Sequence, residues 1–345
     1  MGKSQNHLFA LPARDLAHIL SRSAIELEDL RGTRIFITGG TGFFGKWLLG
    51  GLLFANDELG LGLRVTVLSR DPAAFARRYP RLEDLPALGF IRGHAADFPL
   101  ADLRPDYIIH AAADTTSFTT EAEERERTRT IVDGMSRVLD LAQRSGARRV
   151  LNVSSGAVYG AFASQLAGAK EEDNTNAQPL TPYAAAKREA EQLCAQSDVD
   201  FVTARAFAFL GPHLPLDAHF AAGNFLRDVR SGGPIFVRGD GTALRSYLYT
   251  ADLVVWLLRI LLRGQRAQAY NVGSDEVVTT AQLARRIAAA VQPAPEVIIQ
   301  SVQPQGPQNI YLPAICRARA ELNLEVAIPL DDAIARTLEF LGQPV

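Results

Sequence analysis

Residues 34–49 read Arg-Ile-Phe-Ile-Thr-Gly-Gly-Thr-Gly-Phe-Phe-Gly-Lys-Trp-Leu-Leu. Residues 35–38 are a short β-branched and aromatic run, which predicts a buried strand. Glycines follow at 39, 40, 42 and 45, and the apolar segment 47–54 predicts a helix. Such a glycine turn lets the backbone approach a pyrophosphate, which the free N–H groups of the helix N-terminus can bind. We predict a dinucleotide-binding turn, because the glycines stand in the strand–helix context that this motif requires.

The composition is that of a soluble globular protein. The 345 residues are 47% hydrophobic and 21% charged, with a formal net charge of −2. No basic tract indicates a nucleic-acid partner, and the most apolar helical segment, 253–262, is too short to span a membrane. Cys194 and Cys316 lie far apart, and neither His213 nor His219 has a carboxylate partner at metal-ligand spacing. We therefore expect a cytoplasmic protein with no disulfide framework and no metal site.

Strand and helix patterns alternate from residue 31 to residue 206. Strands are predicted at 35–38, 64–68, 90–93, 107–110, 149–153 and 200–205, a polar linker after Pro72, and helices at 121–145 and from Pro182 through Cys194. The alternation predicts an α/β fold with a doubly wound parallel sheet of the Rossmann type and a smaller C-terminal α/β substrate-binding lobe. The predicted divisions are a helical extension at 1–30, the dinucleotide domain at 31–206 with 250–275 returning to it, and the lobe at 207–249 and 276–345. The extension is expected to pack or to contact another protomer.

Tyr183 and Lys187 are the first candidates for chemistry. They stand four residues apart, so both side chains lie on one face of the predicted helix. A phenol titrates near pH ~10 in water, and a neighbouring ammonium favours the phenolate. Ser155 follows the strand before this helix, at the edge of the sheet where ligands of such folds bind. We predict Ser155, Tyr183 and Lys187 as a catalytic group.

Several motifs together resemble the extended short-chain dehydrogenase/reductases and, within them, the nucleotide-sugar epimerase/dehydratase branch. The resemblance covers the chain from about residue 31 onward. Its motifs are Gly39-Gly40-Thr41-Gly42-Phe43-Phe44-Gly45, Ile109-His110-Ala111-Ala112, Ser154-Ser155 with Val158-Tyr159-Gly160, Tyr183-x-x-x-Lys187, Gly211-Pro212, Arg245 to Asp252, and Asn271-Val272-Gly273.

The resemblance implies a redox step on a sugar carbon. Tyr183 would exchange a proton with the sugar oxygen, Ser155 would orient that oxygen, and Lys187 would hold the nicotinamide ribose and lower the pKa of Tyr183. Arg245 matches an arginine that contacts the substrate diphosphate in relatives, with a surface salt bridge as the other interpretation. We also predict Asn224 as substrate-binding. The predicted cofactor-binding residues are Gly39, Gly42, Phe43, Phe44, Gly45, Ser69, Arg70, Asp97, Ala111, Ala112, Ala113, Tyr183 and Lys187.

Two departures from the family pattern narrow the function. Relatives that eliminate water carry a Thr-Asp-Glu run where this chain has Ser155-Gly156-Ala157. Dehydration and decarboxylation are therefore disfavoured. At the end of the second strand, Ser69-Arg70 replaces the acidic residue that binds the adenosine ribose in NAD-dependent relatives. We therefore expect NADP(H) as the cofactor. NAD(H) is the alternative, because Asp71 comes next in the sequence and could bind the ribose. Asp97 is a candidate for contact with the adenine.

The resulting prediction is a nucleotide-sugar 4-keto-reductase that uses NADPH. The alternative is a nucleotide-sugar 4-epimerase that oxidises and re-reduces the same carbon with a retained cofactor. A dinucleotide sensor without catalysis is a further hypothesis, because a fold does not fix function. By resemblance, a homodimer paired through residues 121–145 and 183–196 is expected.

Overall fold

The computed structural model describes residues 8–82, 84–113, 120–160, 167–173, 181–218, 220–301 and 309–343. Its strands are β1 Arg34–Thr38, β2 Arg64–Ser69, β3 Leu88–Arg92, β4 Tyr107–His110, β5 Arg149–Ser155, β6 Phe201–Ala206, β7 Phe209–Leu210, β8 Ile235–Val237, β9 Leu244–Arg245, β10 Leu248–Tyr249, β11 Ala269–Val272, β12 Val278–Thr279, β13 Val297–Ile299 and β14 Ile310–Tyr311. Its helices are α1 Ala13–Arg22, α2 Ala24–Asp29, α3 Phe43–Leu59, α4 Pro72–Arg78, α5 Glu121–Ser145, α6 Pro182–Ala195, α7 Ala221–Arg230, α8 Thr250–Arg263, α9 Thr280–Ala289, α10 Cys316–Leu322 and α11 Leu330–Phe340.

The main sheet is parallel and winds outward from β1 in both directions. Among the described residues its order is β11-β6-β5-β4-β1-β2-β3. The predicted doubly wound α/β fold is confirmed. Because the winding direction changes at β1 and β4, the crevice at the carboxyl ends of these two strands is where such sheets bind ligands. That crevice begins at Thr38 and His110, which are paired in the register of the two strands.

Helices cover both faces of the sheet, because successive apolar side chains of β1 point to opposite faces and each needs a covering layer. Phe36 packs into the core on the side of α5 and α6, whereas Ile35 and Ile37 pack on the side of α3 and α8. α5 begins at a capping box, in which Thr120 and Glu123 satisfy each other's backbone N–H groups, and it ends at Gly146 in the left-handed conformation. The predicted bounds of α5 are confirmed. The homodimer expected through α5 and α6 stays a prediction.

The N-terminal extension packs within its own chain. α1 and α2 lie against α8. The fully buried Asp15 accepts hydrogen bonds from the Tyr249 hydroxyl and from Arg336 Nη1, each at 2.6 Å. The apolar residues that the extension buries are Leu16, Ile19, Leu27 and Leu30. The extension therefore packs against α8 and is hydrogen-bonded to α11 in the C-terminal part.

We expect Asp15→Asn to lower the free energy of unfolding by about 2 kcal/mol, because a buried acceptor of two hydrogen bonds loses its charge. Chemical denaturation monitored by circular dichroism measures the change. The matched control is Glu339→Gln, since Glu339 pairs with Arg14 on the surface and should change stability by about 0.5 kcal/mol or less. Equal denaturation midpoints for Asp15→Asn and the unchanged protein would contradict the anchoring role.

The segment after β2 differs from the sequence prediction. Residues 72–78 form helix α4 and not a polar linker. The side chain of Asp71 accepts a hydrogen bond from the Ala74 backbone N–H at 2.9 Å, and Pro72 occupies the first helical position. Phe75 then buries its ring in the main core, which stabilises a helix too short to persist by itself.

The C-terminal part is built of short paired strands and helices. β8 pairs with β13, and β9 lies between β12 and β14. β11 returns to the main sheet beside β6, as predicted for residues 269–273. The division of the chain into domains stays a prediction.

Candidate active site

The glycine turn packs too tightly for side chains at two of its positions. Gly39 has a φ of +74°, and a Cβ there would lie 2.5 Å from the carbonyl oxygen of Ala111. A Cβ on Gly45 would lie 2.3 Å from the carbonyl oxygen of Gly39. Gly42 directly precedes α3, whose first N–H groups have no partners within the helix. This cradle of backbone N–H groups fits a dinucleotide pyrophosphate.

Other predicted cofactor residues border this turn. The Ala111 N–H donates to the Thr38 carbonyl oxygen at 3.1 Å, and the Ala112 N–H lies 3.2 Å from Thr38 Oγ1, so the segment through Ala113 leaves β4 beside Gly39. Phe43 and Phe44 open α3, and the Phe44 ring packs edge-on against Phe209 at 4.8 Å.

The end of β2 presents one buried and one exposed polar residue. Ser69 is buried, whereas Arg70 is exposed. Asp71 is engaged as the cap of α4. Asp97 is also exposed and forms an ion pair with Arg129 at 2.7 Å. Directly after β2 the chain therefore exposes the Arg70 guanidinium, and the carboxylate that follows it is engaged at the start of α4.

Ser155, Tyr183 and Lys187 converge at the carboxyl end of β5. Ser155 is its last residue, and its hydroxyl is hydrogen-bonded to Tyr183. Lys187 is buried, and its ammonium donates to the Val153 carbonyl oxygen at 2.8 Å. Helix α6 carries both Tyr183 and Lys187 and is fixed at its start by Thr181, which accepts from the Ala184 N–H.

The electrostatics of the tyrosine differ from the prediction. Burial raises the pKa of the Tyr183 phenol above its ordinary value, while the hydrogen bond with Ser155 and the charge of Arg127 oppose that rise. In this structure the Lys187 ammonium donates to Val153, and Arg127 is the cation whose charge opposes the rise; the lowering by Lys187 stays a prediction. Burial lowers the pKa of Lys187 itself to about 8, against the opposing charge of Glu191.

Sequence reasoning missed a residue from the end of the chain. The Tyr311 hydroxyl lies 3.3 Å from Ser155 Oγ, and burial raises the pKa of Tyr311.

A hydrogen-bond network around Glu191 connects α6 to β5 and β6. The Glu191 carboxylate accepts two hydrogen bonds from the Arg205 guanidinium and one from the Ser154 hydroxyl. Glu191 follows Lys187 by one helical turn, which is the signal that could have indicated it.

Gly156 has no room for a larger residue. A Cβ there would lie 2.7 Å from Cε1 and Cζ of the Phe207 ring. Phe207 is buried and packs against Tyr311 at 4.9 Å between ring centroids. A side chain at position 156 therefore requires displacement of a packed ring.

The predicted substrate residues lie in the C-terminal part. Arg245 is half-buried, and its Nη1 donates to the carbonyl oxygens of Leu244 at 2.7 Å and Asn309 at 3.1 Å. Within the described part of the chain it has no carboxylate partner, so the surface salt bridge is not seen. Asn224 and Asn309 line a groove of about 580 Å³ between α7 and β8. Arg245 does not itself line this groove and contacts its edge through the Asn309 carbonyl oxygen. An arginine that has no acidic partner among the described residues suits an anionic ligand.

The histidine considered for a metal site has another role. His213 Nε2 lies 2.7 Å from the carbonyl oxygen of Phe9, and burial lowers the pKa of His213 to about 4. His219 lies outside the described residues. Over the described ranges, no group of histidine, cysteine, aspartate and glutamate side chains could hold a metal ion. No helix found there has the length and apolar character needed to cross a membrane.

The sequence model of the NAD dependent epimerase/dehydratase family matches residues 35–273. This chain belongs to that family. The match runs from β1 through β11 and includes the glycine turn, Ser155, Tyr183 and Lys187.

Curated relatives are similar over most of their length. The chain is 26% identical over 321 residues to a dTDP-glucose 4,6-dehydratase of Streptomyces niveus, covering 89% of this chain and 92% of that protein. It is 29% identical over 310 residues to UDP-glucuronic acid decarboxylase 1 of Arabidopsis thaliana, covering 88% and 68%. The solved structure of the dTDP-glucose 4,6-dehydratase DesIV from Streptomyces venezuelae, with NAD and TYD bound, superposes with a TM-score of 0.73 at 24% identity, covering 89% of this chain and 96% of that one. That likeness supports the fold.

Proposed function

We propose that this protein is a nucleotide-sugar oxidoreductase that reduces a 4-keto sugar by a Ser-Tyr-Lys mechanism. The observation that carries the proposal is the convergence of Ser155 and Tyr183 at the carboxyl end of β5, on the sheet edge that also holds the glycine cradle. Family membership supports a nucleotide sugar as substrate, and the curated relatives act on dTDP-glucose and UDP-glucuronic acid by their names.

The chain's own residues supply the proton chemistry. A nicotinamide dinucleotide held at this edge of the sheet would supply the hydride. Tyr183 Oη donates a proton to the oxygen that becomes the C4 hydroxyl, and the resulting tyrosinate is reprotonated from solvent. Ser155 Oγ holds that oxygen by a hydrogen bond, and Lys187 would orient the nicotinamide ribose of a bound cofactor. Arg245 and Asn224 bind the nucleotide diphosphate portion.

Elimination is disfavoured at this site. Relatives that remove water need an acid and a base beside the sugar, and this chain has Gly156 and Ala157 at those positions. The Phe207 ring occupies the space of a side chain at 156. Redox at C4, which requires only serine, tyrosine and lysine, is the function that these residues support best.

For the cofactor we propose NADP(H). Ser69 and the exposed Arg70 follow β2, and the carboxylate of Asp71, which is also exposed, accepts the capping hydrogen bond at the start of α4. A guanidinium suits a 2′-phosphate, whereas NAD binding commonly uses a carboxylate at this place. NAD(H) is the alternative, because the family is named for NAD and DesIV holds it.

The test has two parts. First, the dinucleotide released from denatured protein is identified by mass spectrometry. Second, the protein is incubated with 4-keto nucleotide sugars and with NADPH or NADH, and the product is identified by NMR. We expect one NADPH oxidised per sugar reduced, and Arg70→Ala to weaken NADPH binding without weakening NADH binding.

Three outcomes would contradict the proposal. Tightly held NAD with sugar epimerised and no net oxidation of added cofactor would indicate the 4-epimerase. Release of water from a 4-hydroxy nucleotide sugar would indicate a dehydratase. Equal loss of NADH and NADPH binding in Arg70→Ala would contradict the assignment of NADP(H) alone.

A further inference from the structure

Arg127 reaches the proposed catalytic tyrosine from a different helix. It stands on α5, and its Cζ lies 5.5 Å from the centroid of the Tyr183 ring on α6. Only 13% of the Arg127 side chain is exposed. A guanidinium at this distance from a ring is within the range of cation–π attraction, and partial burial strengthens that attraction.

The lysine one turn after the tyrosine is directed elsewhere. The Lys187 ammonium donates to the Val153 carbonyl oxygen at 2.8 Å, and the buried lysine also has the charge of Glu191 on its own helix. The lowest-energy partner for a buried ammonium is an acceptor within reach, which Val153 provides. Arg127 is therefore the cation whose charge acts on the phenol in this structure.

We propose that Arg127 is a positioning residue for Tyr183, which fixes the phenol ring against α5 and favours its ionised form through its positive charge. The proposal rests on the proposed function in one respect, namely that Tyr183 is the residue that transfers the proton. In that reaction Tyr183 gives up its proton to the sugar oxygen, and a tyrosinate beside a guanidinium is the more stable product of that step.

Groups from several elements face the Tyr183 phenol, and together they decide whether removal of Arg127 favours or disfavours its ionised form. From β5, Ser155 hydrogen-bonds the phenol and favours its ionisation. From β14, Tyr311 lies near it as a neutral phenol, with Arg245 at 5.8 Å from the Tyr311 ring. From α5, Glu124 lies 3.3 Å from Arg127 Nη2 and is 41% exposed, so it only partly offsets the guanidinium. Lys187 is the remaining cation and is buried against Val153.

A second observation separates Arg127 from the two neighbouring arginines in the first turns of the same helix. Arg125 is 73% exposed and pairs with Glu121, and Arg129 pairs with Asp97. Both stand on the solvent side of α5. Arg127 alone among these three has an aromatic ring of α6 as its neighbour in the described structure. The three arginines thus provide a matched set for an experiment.

The experiment compares Arg127→Met, Arg127→Lys and the control Arg125→Met. Tyr183 is titrated in the protein without substrate by the ultraviolet absorption of tyrosinate, as the difference from the same variant that also carries Tyr183→Phe. Because a unit charge is removed 5.5 Å from the centre of the Tyr183 ring, we expect roughly tenfold less tyrosinate at a given pH in Arg127→Met. Arg127→Lys should recover part of the effect, and Arg125→Met should titrate like the unchanged protein.

The pH profile of kcat gives the second measurement. In Arg127→Met the limb of the kcat profile that reports ionisation of Tyr183 should move to higher pH, by the amount that corresponds to the same tenfold change in tyrosinate. The KM for the sugar should stay the same. Identical Tyr183 titrations in Arg127→Met and in the unchanged protein, both folded by circular dichroism, would overturn the inference. A displaced titration in a protein that reduces no sugar would leave the inference in place and contradict the proposed function.

Discussion

We expect Tyr183→Phe to lower kcat by about 10³-fold, because general acid catalysis by a positioned side chain contributes that order of rate. The substitution removes one oxygen and keeps the ring, which packs against the core between α5 and α6. The fold and the glycine cradle should therefore persist. Turnover with a 4-keto nucleotide sugar and circular dichroism measure the two effects separately.

A control for this substitution lies at the other end of the sheet. Tyr107 begins β4, and its ring lies 5.8 Å from Cζ of Arg148, away from the carboxyl ends of the strands. Tyr107→Phe removes the same oxygen and should leave kcat unchanged. Full turnover in Tyr183→Phe would contradict the role of Tyr183 as the acid. A protein without turnover in which Tyr183→Phe left every response to the dinucleotide intact would favour the sensor hypothesis over the enzyme.

Gly45→Ala should have the largest effect on cofactor binding and on stability. Its Cβ would lie 2.3 Å from the carbonyl oxygen of Gly39 and from the carbonyl carbon of Gly40. Both are backbone atoms of the turn, so the strand–helix junction must open to accommodate a methyl group. We expect a loss of dinucleotide binding in fluorescence titrations and a decrease of about 3 kcal/mol in the free energy of unfolding.

Gly233→Ala is the matched control, because a Cβ there meets no atom within 4 Å among the described residues. It should leave both dinucleotide affinity and stability within experimental error. Normal dinucleotide affinity in Gly45→Ala would contradict the role of this turn as the cofactor cradle.

The sequence correctly predicted the strands and helices whose apolar pattern and capping residues lie within the element itself. β1, β4 and α5 have the expected bounds to within a residue or two, because their apolar runs and caps lie within the elements themselves. α4 was missed because its core contact is one residue, Phe75, although Asp71 and Pro72 are a recognisable start signal.

The site was predicted less completely than the fold. Motif spacing indicated Ser155, Tyr183 and Lys187, which converge in the structure. Arg127 and Tyr311 reach the same place from α5 and β14, and their distance in sequence from the motif carries no periodic signal. The direction of the Tyr183 pKa also depended on burial and on where the Lys187 ammonium points, and neither can be derived from the spacing of two residues on a helix.

The contact between Gly156 and Phe207 makes the type of reaction depend on packing as well as on residue identity. An aspartate introduced at position 156 would collide with a ring that Tyr159 and Tyr311 flank on either side, with centroids 6.2 Å and 4.9 Å away. A smaller residue at position 207 would have to accompany it. Elimination chemistry at these positions thus needs carboxylates at 156 and 157 together with a smaller residue at 207, and we expect the substitution at 156 alone to lower stability without providing the new activity.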